Sequence, residues 1–263
     1  MEMNSLGTIL LFALKNGARE LHISRNKLPT IINIDGNSSR LCGLSPVSSM
    51  TFEEIALKYM SQGPQSIQAI GPDDFLIFMV DETIIFRHLP KIGPLTINDK
   101  AISASYLNRK GLILIISKSM DLRIKNSYAI LSSILSIRSL NTLILEQEKY
   151  YSLKTYKDSH IISMYRPDLD LDTSLGMSRQ INFECLLIPN CNSESAIKRA
   201  EDISEDKLLI MGIRPSDTHL LRKESILCTI NVNDDGTLSS KTDQKVRLNE
   251  TLIIKNLKGV KHA

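Results

Sequence analysis

The chain has 263 residues, 42% hydrophobic and 23% charged, a composition of folded globular proteins with one large or two small domains that excludes long disorder. Its 32 basic and 29 acidic residues leave a net charge of +3 at pH 7, which is a mixed surface and not a nucleic-acid footprint. The 12 glycines fall below the roughly 7% average usage, which counts against a mechanism resting on glycine-rich phosphate loops.

Aromatic residues are sparse at 5% and tryptophan is absent, so isoleucine and leucine are expected to build the core. The apolar run at residues 9–14 falls far short of the roughly 20 residues a membrane span needs. It follows Glu2 without a basic stretch, so no signal peptide is expected and a cytoplasmic location is the default. Residues 6–16 read as a short helix stopped by Gly17. Residues 22–24 and 30–34 read as strands, with a turn signal at Asp35-Gly36-Asn37. Thr51 and Glu54 form a T-x-x-E capping box, and Phe52, Ile55, Ala56, Tyr59 and Met60 follow at helical spacing. Gly63-Pro64 stops that helix. The runs 75–80 and 83–86 read as a hairpin about Asp81-Glu82, and residues 89–97 read as a linker.

The second half changes character. Residues 111–116 (GLILII) form a continuous apolar run, as expected of a strand buried on both faces. A helix is expected over 128–137. Further buried strands are expected over 142–145, 185–188 and 208–211, with a helix over 194–203. Strands alternating with helices point to an α/β domain with a largely parallel sheet. The tail, 226–257, reads as a hairpin about Asp235-Gly236.

Few side chains cluster for chemistry. Cys185 and Cys191 are five residues apart without a matching histidine pair, so they and Cys42 and Cys228 read as reduced thiols and no metal site is expected. The histidines lack ligand spacing, and His22 reads as a brace of the N-terminal domain. Asp168, Asp170 and Asp172 alternate with leucines and read as an exposed acidic strand edge.

Residues 10–36 resemble the opening of the type IV pilus retraction ATPases, members of the type II/type IV secretion ATPase superfamily. The resemblance rests on Gly17-Ala18, Glu20-Leu21-His22-Ile23-Ser24 and Ile34-Asp35-Gly36. It continues through Arg109 to Ile115, residues 142–146 (TLILE), Asp172-Thr173 and residues 208–212 (LLIMG). It implies an α/β fold class: a small PAS-like α+β domain over 1–95, then a RecA-like domain of the P-loop NTPase fold over 96–263, ending in the hairpin tail. It also implies hexamers at the cytoplasmic base of a pilus or secretion machine, with ATP and magnesium as ligands.

The residues at the implied nucleotide site depart from that pattern. A P-loop, G-x-x-x-x-G-K-[ST], needs glycines to open the backbone, a lysine for phosphate charge and a hydroxyl for magnesium. Ser117 and Leu122 stand at the glycine positions, Arg123 at the lysine and Ile124 at the hydroxyl. Glu146 keeps the first acid of the acidic box, and Gln147 replaces the next. Glu184 stands at the Walker B Asp, and Asn190 at the catalytic Glu. Ile213 to Asp217 replaces the histidine box, with His219 nearby, and Arg87 is the nearest match to the family's N-domain arginines.

Three readings remain open on these residues. The first is a catalytically degenerate relative with a structural or regulatory role, which argues against ATP and magnesium. It would join a homo- or hetero-oligomer with an active ATPase, or dock on inner-membrane platform proteins and so sit peripherally at the inner membrane. The second is an atypical active ATPase working through Arg123 and Glu146. The third is a monomeric binding adaptor. No nucleic-acid partner is expected in any of them.

Overall fold

The computed structural model describes residues 6–33, 36–61, 63, 65–95, 110–153, 158–165, 169–222 and 226–242. The chain divides into two compact units, Met1–Lys91 and Ile92–Ala263.

Among the described residues the first unit holds a six-stranded sheet and two helices. In chain order it holds α1 (Leu6–Lys15), β1 (Ala18–Ser24), β2 (Thr30–Asn33), β3 (Ser38–Arg40), α2 (Ser49–Met60), β4 (Gln65–Ile70), β5 (Asp73–Val80) and β6 (Thr83–Leu89). The strand order is β3-β2-β1-β6-β5-β4, and all neighbours are antiparallel. Leu10 from α1 and Phe52 from α2 share one core with Leu21, Ile23, Ile77 and Phe86 of the sheet. α1 ends at Lys15, and the turn that follows carries Gly17, whose φ of +73° suits a residue without a Cβ. The expected turn closes with the Gly36 amide donating to the Asn33 carbonyl at 3.1 Å, while Ile34 and Asp35 lie outside the described residues. The β5–β6 hairpin turns on Asp81 and Glu82 at φ of +44° and +59°, the left-handed pair a two-residue turn requires.

The start of α2 departs from the T-x-x-E expectation. Ser48 caps the helix, its hydroxyl accepting from the Thr51 amide at 3.1 Å. Ser48 is extended, whereas Thr51 is already inside the helix, so the Thr51 hydroxyl cannot serve as the cap. Leu89, expected in the linker, is the last residue of β6 and fully buried. Pro64 and the linker's residues 96–97 lie outside the described residues.

The second unit holds β7 (Gly111–Ile116), α3 (Met120–Ile137), β8 (Asn141–Glu146), β9 (His160–Tyr165), α4 (Leu171–Ser178), β10 (Cys185–Ile188), α5 (Glu194–Ser204), β11 (Leu208–Ile213), β12 (Ile226–Val232) and β13 (Leu238–Thr242). These strands form one sheet in the order β9-β8-β10-β11-β7-β12-β13. All neighbours are parallel except the β12–β13 hairpin. Alternation in β7 explains the layering. Ile113 and Ile115 pack on α3, while Leu112 and Leu114 face the core formed with α4 and α5. Residues 243–257 of the expected tail lie outside the described residues.

The helix expected over 128–137 is present and ends at Ile137, but α3 begins earlier, at Met120, with Ser119 as its cap. Polar Arg123, Asn126 and Ser127 are buried alongside Ile124 and Tyr128, so the first turns carry no clean apolar stripe. The acidic alternation is not a strand. Asp170 caps α4 by accepting from the Thr173 amide at 2.6 Å, and Asp172 lies in the first turn. Asp168 lies outside the described residues.

Candidate functional site

The carboxyl ends of parallel strands are where open α/β sheets place ligand crevices. In the second unit the ends of β7, β8, β10 and β11 bring forward the 117–119 loop, Glu146, Pro189-Asn190 and Arg214. Gly212 permits the closeness of these ends. A Cβ there would lie 2.2 Å from the Pro189 carbonyl oxygen. The Cys191 amide donates to the Gly212 carbonyl at 2.7 Å.

Arg123 lies at the centre of the arrangement and is 4% exposed. Its Nη1 donates to the Ser117 carbonyl at 2.6 Å and the Lys118 carbonyl at 3.1 Å. Its Nη2 and Nε donate to Asn190 Oδ1 at 2.8 and 3.2 Å. The connection between β7 and α3 is only Ser117, Lys118 and Ser119. Leu122, Arg123 and Ile124 are helical, and the Ser119 hydroxyl accepts from the Leu122 amide at 3.4 Å. The loop therefore turns carbonyl oxygens toward a cation held within the protein, the inverse of an anion cradle. Burial lowers the Arg123 pKa and the charge of Arg214 adds to this, against Asp217, but a guanidinium stays protonated. Burial works against ionisation of Asp217. Its bonds from Arg214 and Ser216, with the charges of Arg214 and Arg123, nonetheless hold its carboxyl below the ordinary value.

Glu146 is committed to a network in which Tyr128 and Lys149 are buried with it. Lys149 Nζ meets Glu146 Oε1 at 2.6 Å, and the Tyr128 hydroxyl donates to Oε2 at 2.5 Å. Lys149 also donates to the Ser163 hydroxyl at 2.8 Å, and Ser163 donates to Glu146 at 2.8 Å. Burial pushes the Tyr128 hydroxyl pKa well above its ordinary value, and the neighbouring Glu146 charge adds to it. Beside this network a cavity of about 290 Å³ opens between Met120, Ile124, Glu146, Glu148, Asn190 and Asn192. Its described lining includes no lysine or arginine.

The other sequence-marked residues are dispersed. Glu184 lies just before the amino end of β10, away from Asn190 beyond the carboxyl end, and accepts from the Asn141 amide at 3.0 Å. His219 Nδ1 bonds to the Ser216 carbonyl at 2.7 Å. In the first unit, Glu20 holds His22 at 2.8 Å and Arg87 at 2.7 Å, so the Arg87 guanidinium is committed to an internal pair. Burial pushes the Cys185 and Cys191 thiols up to about 12. Among the described residues no group of three His, Cys, Asp or Glu side chains is poised for a metal ion. No described helix is long and apolar enough to cross a membrane. The sequence reading missed Lys149, Tyr128 and Ser163. Lys149 carried a signal, three residues after Glu146, but Tyr128 and Ser163 reach the site only through packing.

No protein-family model matches the chain, and no curated protein matches it significantly. Solved structures do. The pilus retraction motor PilT with bound ADP superposes with a TM-score of 0.61 at 15% identity, over 97% of this chain and 90% of that one. The ATPase DotB of Legionella pneumophila gives 0.55 at 12% identity, over 91% of this chain and 81% of that one. DotB of Yersinia pseudotuberculosis gives 0.54 at 11% identity, over 97% and 83%. The chain has the two-domain α/β fold of these ATPases. At such identities the likeness extends to the fold and not to the chemistry.

Proposed function

We propose that this chain is a non-hydrolysing component of a type IV pilus or related secretion machine, a structural or regulatory subunit built on the fold of the motor. The observation that carries this reading is the Arg123 guanidinium closed on the Ser117 and Lys118 carbonyls and on Asn190. A triphosphate site needs amide N–H groups and a cation turned toward the ligand, with a hydroxyl for magnesium. Here carbonyls face the arginine, the arginine faces the protein, and buried Ile124 stands at the hydroxyl position. Asn190 stands where a carboxylate would activate water, and an amide cannot take that proton. The residues present do not fit ATP with magnesium, so no phosphoryl-transfer step is assigned to them.

The fold likeness to a pilus retraction motor supports the setting: an oligomer with an active ATPase, or contact with inner-membrane platform proteins from the cytoplasmic side. Equilibrium dialysis of the purified chain against ATP and magnesium is expected to give no saturable binding, and no phosphate release above buffer. Magnesium-dependent binding with turnover overturns the reading.

A further inference from the structure

The two edges of the first unit's sheet are built differently. β3 is three residues long and ends on Arg40. β4 is six residues long, reads QSIQAI, and carries no charge and no proline. An edge strand presents unpaired N–H and C=O groups, and proteins usually guard it with lysine, proline, a bulge or shortness. β4 has none of these. Its register with β5 is unbroken from Gln65↔Phe78 to Ile70↔Asp73.

The two faces of β4 also differ. Ser66 and Gln68 are tied to α2, donating to the Tyr59 carbonyl at 3.0 and 3.2 Å. Gln68 Nε2 also donates to the Ser66 hydroxyl at 3.2 Å. Gln65, Ile67 and Ala69 point to the other face and are exposed, Ile67 by 51%. A half-exposed isoleucine at the centre of an uncharged edge marks a surface prepared for another strand.

We propose that β4 is a homotypic docking edge, on which β4 of a second copy of this chain pairs antiparallel about a two-fold axis at Ile67. The strand is its own complement in that register. Ile67 meets Ile67, Gln65 meets Ala69, and Ser66 meets Gln68 of the second copy. Residues directly opposite share a face. The apolar pair therefore falls on the face away from α2, and both Ser–Gln pairs fall on the α2 face, repeating a bond that β4 makes within itself. A one-residue slip sets Ile67 against Gln68, opposing a residue whose backbone groups face the second copy with one whose groups face β5, and so breaks the ladder. Absence of charge favours a second copy over a peptide. Like strands meet without repulsion, and an acidic or basic segment finds no counter-charge. The residues at the strand ends of the second unit take no part, so this inference stands apart from the nucleotide-site reading.

The test uses full chains carrying Cys42→Ser, which removes the exposed thiol, with either Ile67→Cys or Gln65→Cys. Opposed residues of antiparallel strands are about 4.5–5.5 Å apart at Cα, within disulfide reach. Under mild oxidation the Ile67→Cys chain is expected to form a covalent dimer several-fold faster than the Gln65→Cys chain, whose opposite residue is Ala69. Sedimentation velocity is expected to give at least a dimer for the natural sequence and a lower mass for Ile67→Lys. A monomeric natural chain overturns the proposal. So does equal cross-linking at both positions, or an unchanged mass for a folded Ile67→Lys. If Ile67→Lys does not fold, the cysteine pair decides.

Discussion

The Arg123 guanidinium holds the Asn190 side-chain oxygen with two nitrogens, Nη2 at 2.8 Å and Nε at 3.2 Å, across 67 residues of sequence. It joins the first turn of α3 to the loop after β10. Arg123→Ala leaves Asn190 and two loop carbonyls without their donor. The expected loss is about 2–4 kcal/mol. Differential scanning calorimetry is expected to find a Tm lower by roughly 5–10 °C. Arg123→Lys recovers only part of this, because an ammonium lacks the planar fork that spans these acceptors.

The Glu146–Lys149 pair lies almost fully out of solvent, at 4% and 7% side-chain exposure. Removing one partner strands the other charge. Glu146→Gln and Lys149→Met are each expected to cost about 3–5 kcal/mol in urea denaturation. Glu146→Leu combined with Lys149→Met is expected to cost less than either single change, because no charge is left buried.

Acid is expected to destabilise the first unit through Glu20. The His22 hydrogen bond lowers its pKa from the usual 4.5 to about 2, with the charge of Arg87 assisting against the opposing effect of burial. A carboxylate with a depressed folded pKa stabilises the fold above the unfolded value, and that stability is lost as pH falls toward the folded one. The loss therefore falls between pH 4.5 and about 2. Denaturant midpoints across that window are expected to fall more steeply for the natural sequence than for Glu20→Gln.

Thiol accessibility provides a check on the core. Cys185, Cys191 and Cys228 are buried, and Cys42 is exposed. Iodoacetamide at pH 8 is expected to alkylate Cys42 alone in the native protein, and all four thiols in denaturant. Mass spectrometry reads the difference. Rapid native labelling at Cys185 or Cys191 contradicts thiols held near pKa 12.

Elements written in short-range pattern were legible from the sequence. The CLLI run at 185–188 is the strand Cys185–Ile188, and the Asp81-Glu82 turn joins the runs flanking it. The start of α3 was not legible, because polar side chains buried around the helix erase the stripe that marks one. The Thr51 cap failed for a different reason. Ser48 offers an equivalent hydroxyl one turn earlier, and only backbone geometry decides between them.

At the candidate site the division is sharper. The sequence by itself set Arg123, Ile124 and Asn190 against the lysine, hydroxyl and carboxylate that the resemblance implies at those positions. Those are properties of single positions. Tertiary structure decided where the arginine points, because Ser117, Lys118 and Asn190 converge only when β7 and β10 lie in one sheet with β11 between them. It also decided that Glu146 is committed to Lys149, Tyr128 and Ser163. A charged side chain in a low-dielectric interior takes the partners that packing brings to it, and chain order does not record them.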